Sequence, residues 1–355
     1  MSLLFVGSYT EKLPHISGEG LGISSYLWQE SLSLQSSFPE IRNPSYLCLD
    51  KENQRLFALE ECDFTQRPAL YSFSYDAKGT LKLLKRREIA ASAPCHLSLS
   101  PDKSLLAVAN YGSGDAQLFA LSPQGHIGAC IAHFDHQALS HAQLQFKHPI
   151  RQEAAHAHQV IFSSDGEYLF IIDLGLDAIL SYSLKDYQLV GRFDFPAGTG
   201  PRHGCFHPHE KHLMVVGELD ASVHLLSYDA GQFKSLDRLA SLPRPMPDIY
   251  PAAIKFSVDG HVNGQKLYVS NRNLGKSVDS ISVFKVNPLK QSLEFCDNIP
   301  MQGKIPRDFV VTEEALLVGF QDSHELCLFK LDREGNWILK ERQVCGSPVC
   351  LVTTF

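Results

Sequence analysis

A unit of strand-length apolar segments recurs along this chain and restricts the folds open to it. Each copy has an apolar segment behind a Pro or Ala, a turn with Asp or Gly, a second apolar segment that ends in Asn, Asp or Gln, and further β-rich sequence. Four short antiparallel strands in roughly 40–60 residues are typical of a β-propeller blade. The six copies begin at the anchor residues Pro44, Pro94, Ala157, Pro201, Pro251 and Pro306.

A seventh copy is divided between the two ends of the chain. Residues 348–355 supply a first strand, and residues 3–8 supply the missing second strand. Counted from Pro348 through the termini to Pro44, the separation is 51 residues, which matches the other copies. The sequence therefore predicts one all-β domain over residues 1–355, a seven-bladed propeller closed by terminal strands that share the last blade. The alternative is an open array of β-sandwiches, which would not need complementary ends.

Composition excludes several classes of function. With 44% hydrophobic and 20% charged residues, the chain can bury a sizeable core, and its short apolar runs are too brief to cross a membrane. The net charge of −7, without basic runs, argues against nucleic acid as a partner. Nine scattered cysteines without a Cys-x-x-Cys pair argue against disulfides or structural zinc. Because residues 1–6 lack a basic leader, we expect a cytoplasmic protein.

Two positions of the repeat should line the central channel. If the first two strands form a hairpin, the residue after the anchor (position 1) should face the residue seventeen after it (position 17). Such a convergence of polar side chains on one end of the channel is typical of a small-molecule site. Position 1 holds Ser45, Cys95, His158, Arg202, Ala252, Arg307 and Val349. Position 17 holds Glu61, Tyr111, Leu174, Glu218, Arg272 and Asp322, with Tyr9 from the split blade.

Some of these polar residues have a partner in their own blade. Arg202 should face Glu218, and Arg307 should face Asp322, so either pair could simply stabilise a hairpin. His158 and Arg272 face apolar residues and are the stronger functional candidates. A metal site is a further alternative, because His156 and His158 share one strand face. We expect no dedicated metal site, because His207 and His209 fall at a hairpin turn. Four others, His133, His136, His141 and His148, lie in the long insertion before the third copy.

A series of short motifs runs through nearly the whole chain in a fixed order. They are 6–10 (VGSYT), 151–158 (RQEAAHAH), 173–175 (DLG), 200–203 (GPRH) with 206–208 (FHP), 218–219 (EL), 270–272 (SNR) and 306–307 (PR). Together they resemble the lactonase family of seven-bladed propellers, which includes bacterial propeller-type 6-phosphogluconolactonases and fungal 3-carboxy-cis,cis-muconate lactonizing enzymes. The chain departs from that pattern at Gly217, where relatives often have Asn, and at Ala157, where they often have Pro.

The resemblance implies an active site made of His158, Arg202, Glu218 and Arg272, the same four residues that stand out in positions 1 and 17. Opening a sugar δ-lactone requires a base to activate water, a donor to the developing oxyanion and an acid for the leaving ring oxygen. We expect Glu218, kept ionised by Arg202, to be the base and His158 the proton donor, with the reverse assignment open.

Further residues are candidates for substrate binding. Arg272, with Arg202 or Arg307, would bind a substrate phosphate through its guanidinium. His203, His96 and Tyr9 are candidates for other substrate contacts.

The expected reaction is hydrolysis of a phosphorylated sugar lactone in the pentose phosphate pathway. The expected substrate is a small, anionic lactone, and the protein should need no metal or organic cofactor and should be a monomer or a weak homo-oligomer. Two alternatives are a cycloisomerase acting on a carboxylated muconate and a non-enzymatic scaffold. A third is a calcium-dependent lactonase, with oxygen ligands at the axis from Glu61, Asn110, Asp173, Glu218 and Asn271.

Overall fold

Seven four-stranded antiparallel sheets account for almost all of the regular structure in a computed structural model of the chain. The structure describes residues 2–13, 16–140, 148–209, 211–257, 266–275 and 277–355. This architecture confirms the predicted seven-bladed propeller, and the N- and C-terminal strands share one sheet. In the fifth copy, which begins at Pro251, the expected turn with Asp or Gly falls at residues 259 and 260, which lie outside the described residues.

The strands of each blade are numbered first to fourth in the order in which they pair. Blade 1 contains Leu47–Asp50, Arg55–Leu59, Ala69–Tyr75 and Leu81–Glu88. Blade 2 contains Pro94–Leu99, Leu105–Asn110, Asp115–Leu121 and Ile127–Asp135. Blade 3 contains Ala157–Phe162, Tyr168–Asp173, Ala178–Ser183 and Leu189–Asp194. Blade 4 contains Pro201–Phe206, His212–Gly217, Ser222–Asp229 and Gln232–Ala240. Blade 5 contains Ile249–Phe256, Lys266–Asn273, Ser280–Asn287 and Ser292–Pro300. Blade 6 contains Pro306–Val311, Ala315–Phe320, Glu325–Leu331 and Trp337–Val344. Blade 7 contains Pro348–Thr353, Ser2–Ser8, Ile23–Trp28 and Leu32–Phe38.

The remaining elements are small. Lys12–Leu13 pairs with Ile16–Ser17, Phe64–Gln66 forms a 3-10 turn, and Gln137–Ser140 forms one turn of α-helix. Over the described ranges, therefore, no helix has the length and apolar character needed to cross a membrane.

The core lies between blades and not within any one of them. Each of the seven apolar clusters formed by described residues joins side chains of two neighbouring blades. A strand that is covered on both faces needs a continuous apolar run, as in His212–Gly217, where every residue is buried. The fourth strands have one solvated face and alternate instead, as in Trp337–Val344. The first strand of every blade contacts the first strands of both neighbours, so seven of them surround the channel.

Removing residues 348–355 is expected to unfold the protein. Pro348–Thr353 pairs with Ser2–Ser8, and Val349, Cys350 and Leu351 are at most 4% exposed. Burial of each such side chain contributes roughly 1.5–3 kcal/mol, against a total stability of about 5–15 kcal/mol. Urea unfolding followed by circular dichroism measures the loss. Deletion of the half-exposed Phe355 alone is the control, and a truncated chain that unfolds at the wild-type urea concentration would contradict the closure of the ring by this strand.

Candidate active site

A β-bulge at the start of the first strand directs side chains toward the channel. Ala157 pairs with Asp173 and Gln159 pairs with Ile172, which leaves His158 unpaired between them. Five other blades have the same irregularity just after the anchor residue. Such bulges re-aim a side chain and are common beside active sites. The predicted register of position 1 opposite position 17 was therefore wrong, because the anchor residue itself faces the second strand. Residues at position 1 nevertheless line a cavity on the axis, namely Ser45, Cys95, Arg202, Arg307 and Val349.

Glu218 is the centre of a buried cluster of charges. Its Oε2 lies 2.9 Å from Nε of Arg202, the pairing expected within blade 4, and 3.2 Å from Nη2 of Arg272 in blade 5. Its Oε1 lies 2.7 Å from Nη2 of Arg151. Burial raises the pKa of Glu218, but Arg272, Arg151 and Arg202 outweigh burial and hold that pKa well below its usual range. Burial lowers the pKa of Arg272 to about 9, which leaves its guanidinium charged at neutral pH. Three guanidiniums on one carboxylate leave an excess of two positive charges.

Arg151 is a site residue that the repeat pattern missed. It precedes blade 3 in the long insertion and has no counterpart in the other blades. Its Nε donates a 3.0 Å hydrogen bond to the hydroxyl of Tyr111, at position 17 of blade 2. The Arg151 side chain is 32% exposed, compared with 11% for Arg272 and 3% for Arg202, so it is the most accessible of the three cations. The only signal for it in the sequence was the motif at 151–158.

Arg307 does not pair with Asp322 as predicted. Its Nη1 donates to Oε1 of Gln321 at 3.2 Å, and Nε2 of Gln321 in turn donates to Asp322 at 2.8 Å. The Arg307 guanidinium lies 5.2 Å from the ring centroid of Tyr9. Tyr9 is fully buried, and its hydroxyl donates to Glu61 at 2.9 Å. Within the part of the chain that the structure describes, Arg307 has no carboxylate at ion-pair distance.

Two buried histidines, His96 and His158, and the partly buried His203 lie next to the Glu218 cluster. The ring centroid of His158 is 5.2 Å from that of His203, which is 5.3 Å from that of His96. His96 packs on Tyr46 at a centroid distance of 4.0 Å. Burial first, and then the positive charge of Arg202, lowers the pKa of all three histidines well below 6.5. They are therefore neutral at pH 7. Nδ1 of His158 is buried and lacks a hydrogen-bond partner among the described residues.

These histidines make the protein less stable in mild acid. Because the folded-state pKa of each lies below the unfolded value of 6.5, the unfolded chain binds more protons at pH values between the two. Their contribution is complete above pH 6.5 and falls by up to about 1.4 kcal/mol per pH unit for each histidine as the pH drops. Urea unfolding at pH 7.5, 6.5 and 5.5 measures the slope. The slope counts the protons taken up on unfolding, so His96→Phe should lower it by up to one proton. An unchanged slope in this variant would contradict the role given to these histidines. Glu218, whose pKa is lowered from its ordinary value of 4.5, changes the pH dependence of stability only below about pH 4.5.

Three of the calcium ligands considered from the sequence make other hydrogen bonds in the structure. Nδ2 of Asn110 donates to Asp115 at 2.7 Å, and Nδ2 of Asn271 donates to Ser282 at 2.9 Å. Asp173 accepts the backbone N–H of His156 at 2.8 Å. Among the described residues, no three or more His, Cys, Asp or Glu side chains are grouped so that they could hold a metal ion.

Comparisons with known proteins agree with this fold across the chain. Residues 3–353 match the family described as "Lactonase, 7-bladed beta-propeller". The 6-phosphogluconolactonase of Bacillus subtilis is 31% identical, over 98% of this chain and 97% of its own. The 6-phosphogluconolactonase of Formosa agariphila is 28% identical, over 99% of both chains. The solved structure of the periplasmic gluconolactonase of Pseudomonas aeruginosa superposes with a TM-score of 0.85 and 26% identity, over 99% of this chain and 98% of the other.

The names of these relatives support lactone hydrolysis, and they do not support the muconate cycloisomerase alternative. The family match spans all seven blades and includes every residue of the Glu218 cluster. The chain therefore belongs to the seven-bladed β-propeller family of lactonases.

Proposed function

We propose that the substrate of this lactonase is 6-phosphogluconolactone, which the enzyme hydrolyses to the open-chain acid in the pentose phosphate pathway of the cytoplasm. The observation that carries the proposal is the excess of guanidiniums over carboxylates around Glu218 and at the neighbouring Arg307, beside a neutral His158. A doubly charged phosphate ester suits a site whose cations outnumber its carboxylates. The name of the Bacillus subtilis relative supports the same substrate.

His158 is the general base in this proposal, the reverse of the assignment preferred from the sequence. Glu218 is too acidic to take a proton from water at neutral pH, because three guanidiniums hold its pKa far below that range. His158 is neutral at pH 7, so one of its ring nitrogens carries a free lone pair. Glu218 instead fixes Arg202 and Arg272 in place, and their remaining N–H groups stabilise the oxyanion.

The reaction then needs only one proton carrier. A water molecule attacks the lactone carbonyl carbon while His158 takes one of its protons, and the carbonyl electrons move onto oxygen. When the tetrahedral intermediate collapses, the bond from that carbon to the ring oxygen breaks. The imidazolium of His158 returns the proton to the ring oxygen as it leaves as a hydroxyl. The new carboxylic acid ionises in solution, so no proton remains on the enzyme.

A comparison of substrates tests the proposed function. The kcat/KM for 6-phosphogluconolactone is expected to exceed that for glucono-δ-lactone by about 10- to 100-fold, the usual contribution of a hydrogen-bonded charged group. Hydrolysis is followed by the acid released, after subtraction of the spontaneous rate. Equal kcat/KM values for the two lactones would show that the enzyme does not recognise the phosphate. Turnover of a carboxylated muconate with neither lactone hydrolysed would overturn the proposal.

A further inference from the structure

A cavity lies on the propeller axis, next to the Glu218 cluster. Its volume is about 210 Å³, and residues from all seven blades line it. Arg202 belongs to both places, because its Nε contacts Glu218 while the residue also forms part of the cavity wall. One water occupies about 30 Å³ in the liquid, so the cavity has room for a four-oxygen anion with some of its hydration.

The cavity wall contains hydrogen-bond donors that have no acceptor. Nδ1 of His203 accepts a hydrogen bond from Nη1 of Arg202 at 3.1 Å. Because His203 is neutral, its proton is therefore on Nε2, which is buried without a partner among the described residues. Ser45 is 4% exposed, and its hydroxyl is likewise unpartnered in the described part of the chain. Both residues line the cavity.

The charges of the cavity wall favour an anion. Arg307 lines the cavity and has no carboxylate at ion-pair distance in the described ranges. Asp308 also lines the cavity, but its carboxylate is fully engaged. It contacts Nζ of Lys255 at 2.5 Å and accepts the backbone N–H groups of Phe309 at 2.9 Å and Leu351 at 2.8 Å. Water could satisfy the free donors, and a bound anion would in addition place a negative charge in direct contact with the Arg307 guanidinium.

We propose that this cavity is the subsite for the phosphate group of the substrate. It takes a tetrahedral oxyanion, a phosphate monoester or inorganic phosphate, held by Arg307, Ser45 and His203. The guanidinium fork of Arg307 matches two phosphate oxygens. In the δ-lactone the carbonyl carbon and the carbon that carries the phosphorylated arm are both bonded to the ring oxygen. A phosphate in the cavity therefore keeps the carbonyl close by, on the side of Arg202 and Glu218. The assignment to the substrate's own phosphate rests on the proposed function, whereas the binding of a free phosphate does not.

Calorimetric titration with inorganic phosphate tests the cavity directly, with potassium chloride at equal ionic strength as the reference. Saturable binding is expected, weakened about tenfold or more in Arg307→Gln. Ser45→Ala is a milder second variant in case Arg307→Gln does not fold, and it should also weaken binding. Arg192→Gln is the matched control, because this exposed arginine pairs with Asp194 on an outer strand. Absence of phosphate binding, or equal binding by wild type and both cavity variants, would overturn the subsite.

Inhibition kinetics identify the source of the phosphate. Inorganic phosphate should compete with 6-phosphogluconolactone and not with glucono-δ-lactone. Arg307→Gln should raise the KM for the phosphorylated lactone about tenfold more than it raises the KM for glucono-δ-lactone. Equal inhibition of both lactones would overturn the assignment to the substrate's phosphate. Hydrolysis of the phosphorylated lactone without phosphate binding would overturn only the subsite. Phosphate binding without hydrolysis would overturn only the proposed function.

Discussion

His158→Ala is expected to lower kcat for lactone hydrolysis by about 10²- to 10⁴-fold, the usual contribution of a positioned acid–base group. The ring is neutral at pH 7 and lies in a bulge at the end of the channel that holds the charged cluster. Because burial and Arg202 lower its pKa well below 6.5, wild-type activity should stay level across neutral pH and fall only in acid, as the base is protonated. Initial rates between pH 5 and 8 measure both effects.

His224 provides a matched control for that substitution. It too is buried, with a pKa lowered to about 4, but it lies on the third strand of blade 4, where its Nε2 is 2.9 Å from Oγ of Ser222. His224→Ala should cost stability without changing kcat. Wild-type turnover in His158→Ala, or an equal loss in the two variants, would contradict the role of His158 as the base.

Glu218→Gln is expected to lower both stability and activity. Loss of one partner from a buried ion pair costs about 3–5 kcal/mol, because the remaining charge stays buried and uncompensated. Here Arg202 and Arg272 would lose their shared carboxylate oxygen, and Arg151 would lose its contact at 2.7 Å. Urea unfolding measures the stability, and turnover is measured in the same preparation below the unfolding transition.

Two further variants separate charge from chemistry. Glu61→Gln replaces another position-17 carboxylate. It should change stability and turnover only slightly, because the Gln amide oxygen still accepts the hydrogen bond from the Tyr9 hydroxyl. Glu218→Gln combined with Arg272→Met should recover part of the lost stability, since one uncompensated cation is removed, without recovering activity. Full stability in Glu218→Gln alone would contradict the description of this cluster as a coupled set of buried charges.

The fold could be predicted because its packing imposes a visible pattern on the sequence. Blades are covered on both faces, so their inner strands have continuous apolar runs, and His212–Gly217 shows this clearly. The pairing of Ser2–Ser8 with Pro348–Thr353 could also be predicted, because each end of the chain supplies one strand of a blade that is otherwise incomplete. The bulge after the anchor in six of the blades could not be predicted from the sequence. The inner strands are apolar on both faces, so one extra residue disturbs no alternation in them.

The site was only partly predictable. Arg202 and Glu218 belong to one hairpin, so their pairing followed from the repeat itself. Arg272 and Glu218 both hold position 17, in neighbouring blades, so the repeat places them at the same end of the channel without specifying their contact. Arg151 comes from an insertion, so no count along the repeat brings it close. In blade 6, Pro306 pairs with Phe320, and the next residue, Gln321, takes the place expected for Asp322. The proposed base changes from Glu218 to His158 because the three guanidiniums on Glu218 lower its pKa.

The most direct test of the account is the hydrolysis rate of freshly generated 6-phosphogluconolactone by the purified protein, above its spontaneous opening, with and without a chelator. We expect acceleration that the chelator does not reduce and that is lost in His158→Ala. Such a result would support a sugar-phosphate lactonase that works through its own histidine and arginines. Absence of acceleration, or activity that disappears with the chelator, would contradict this account of the site.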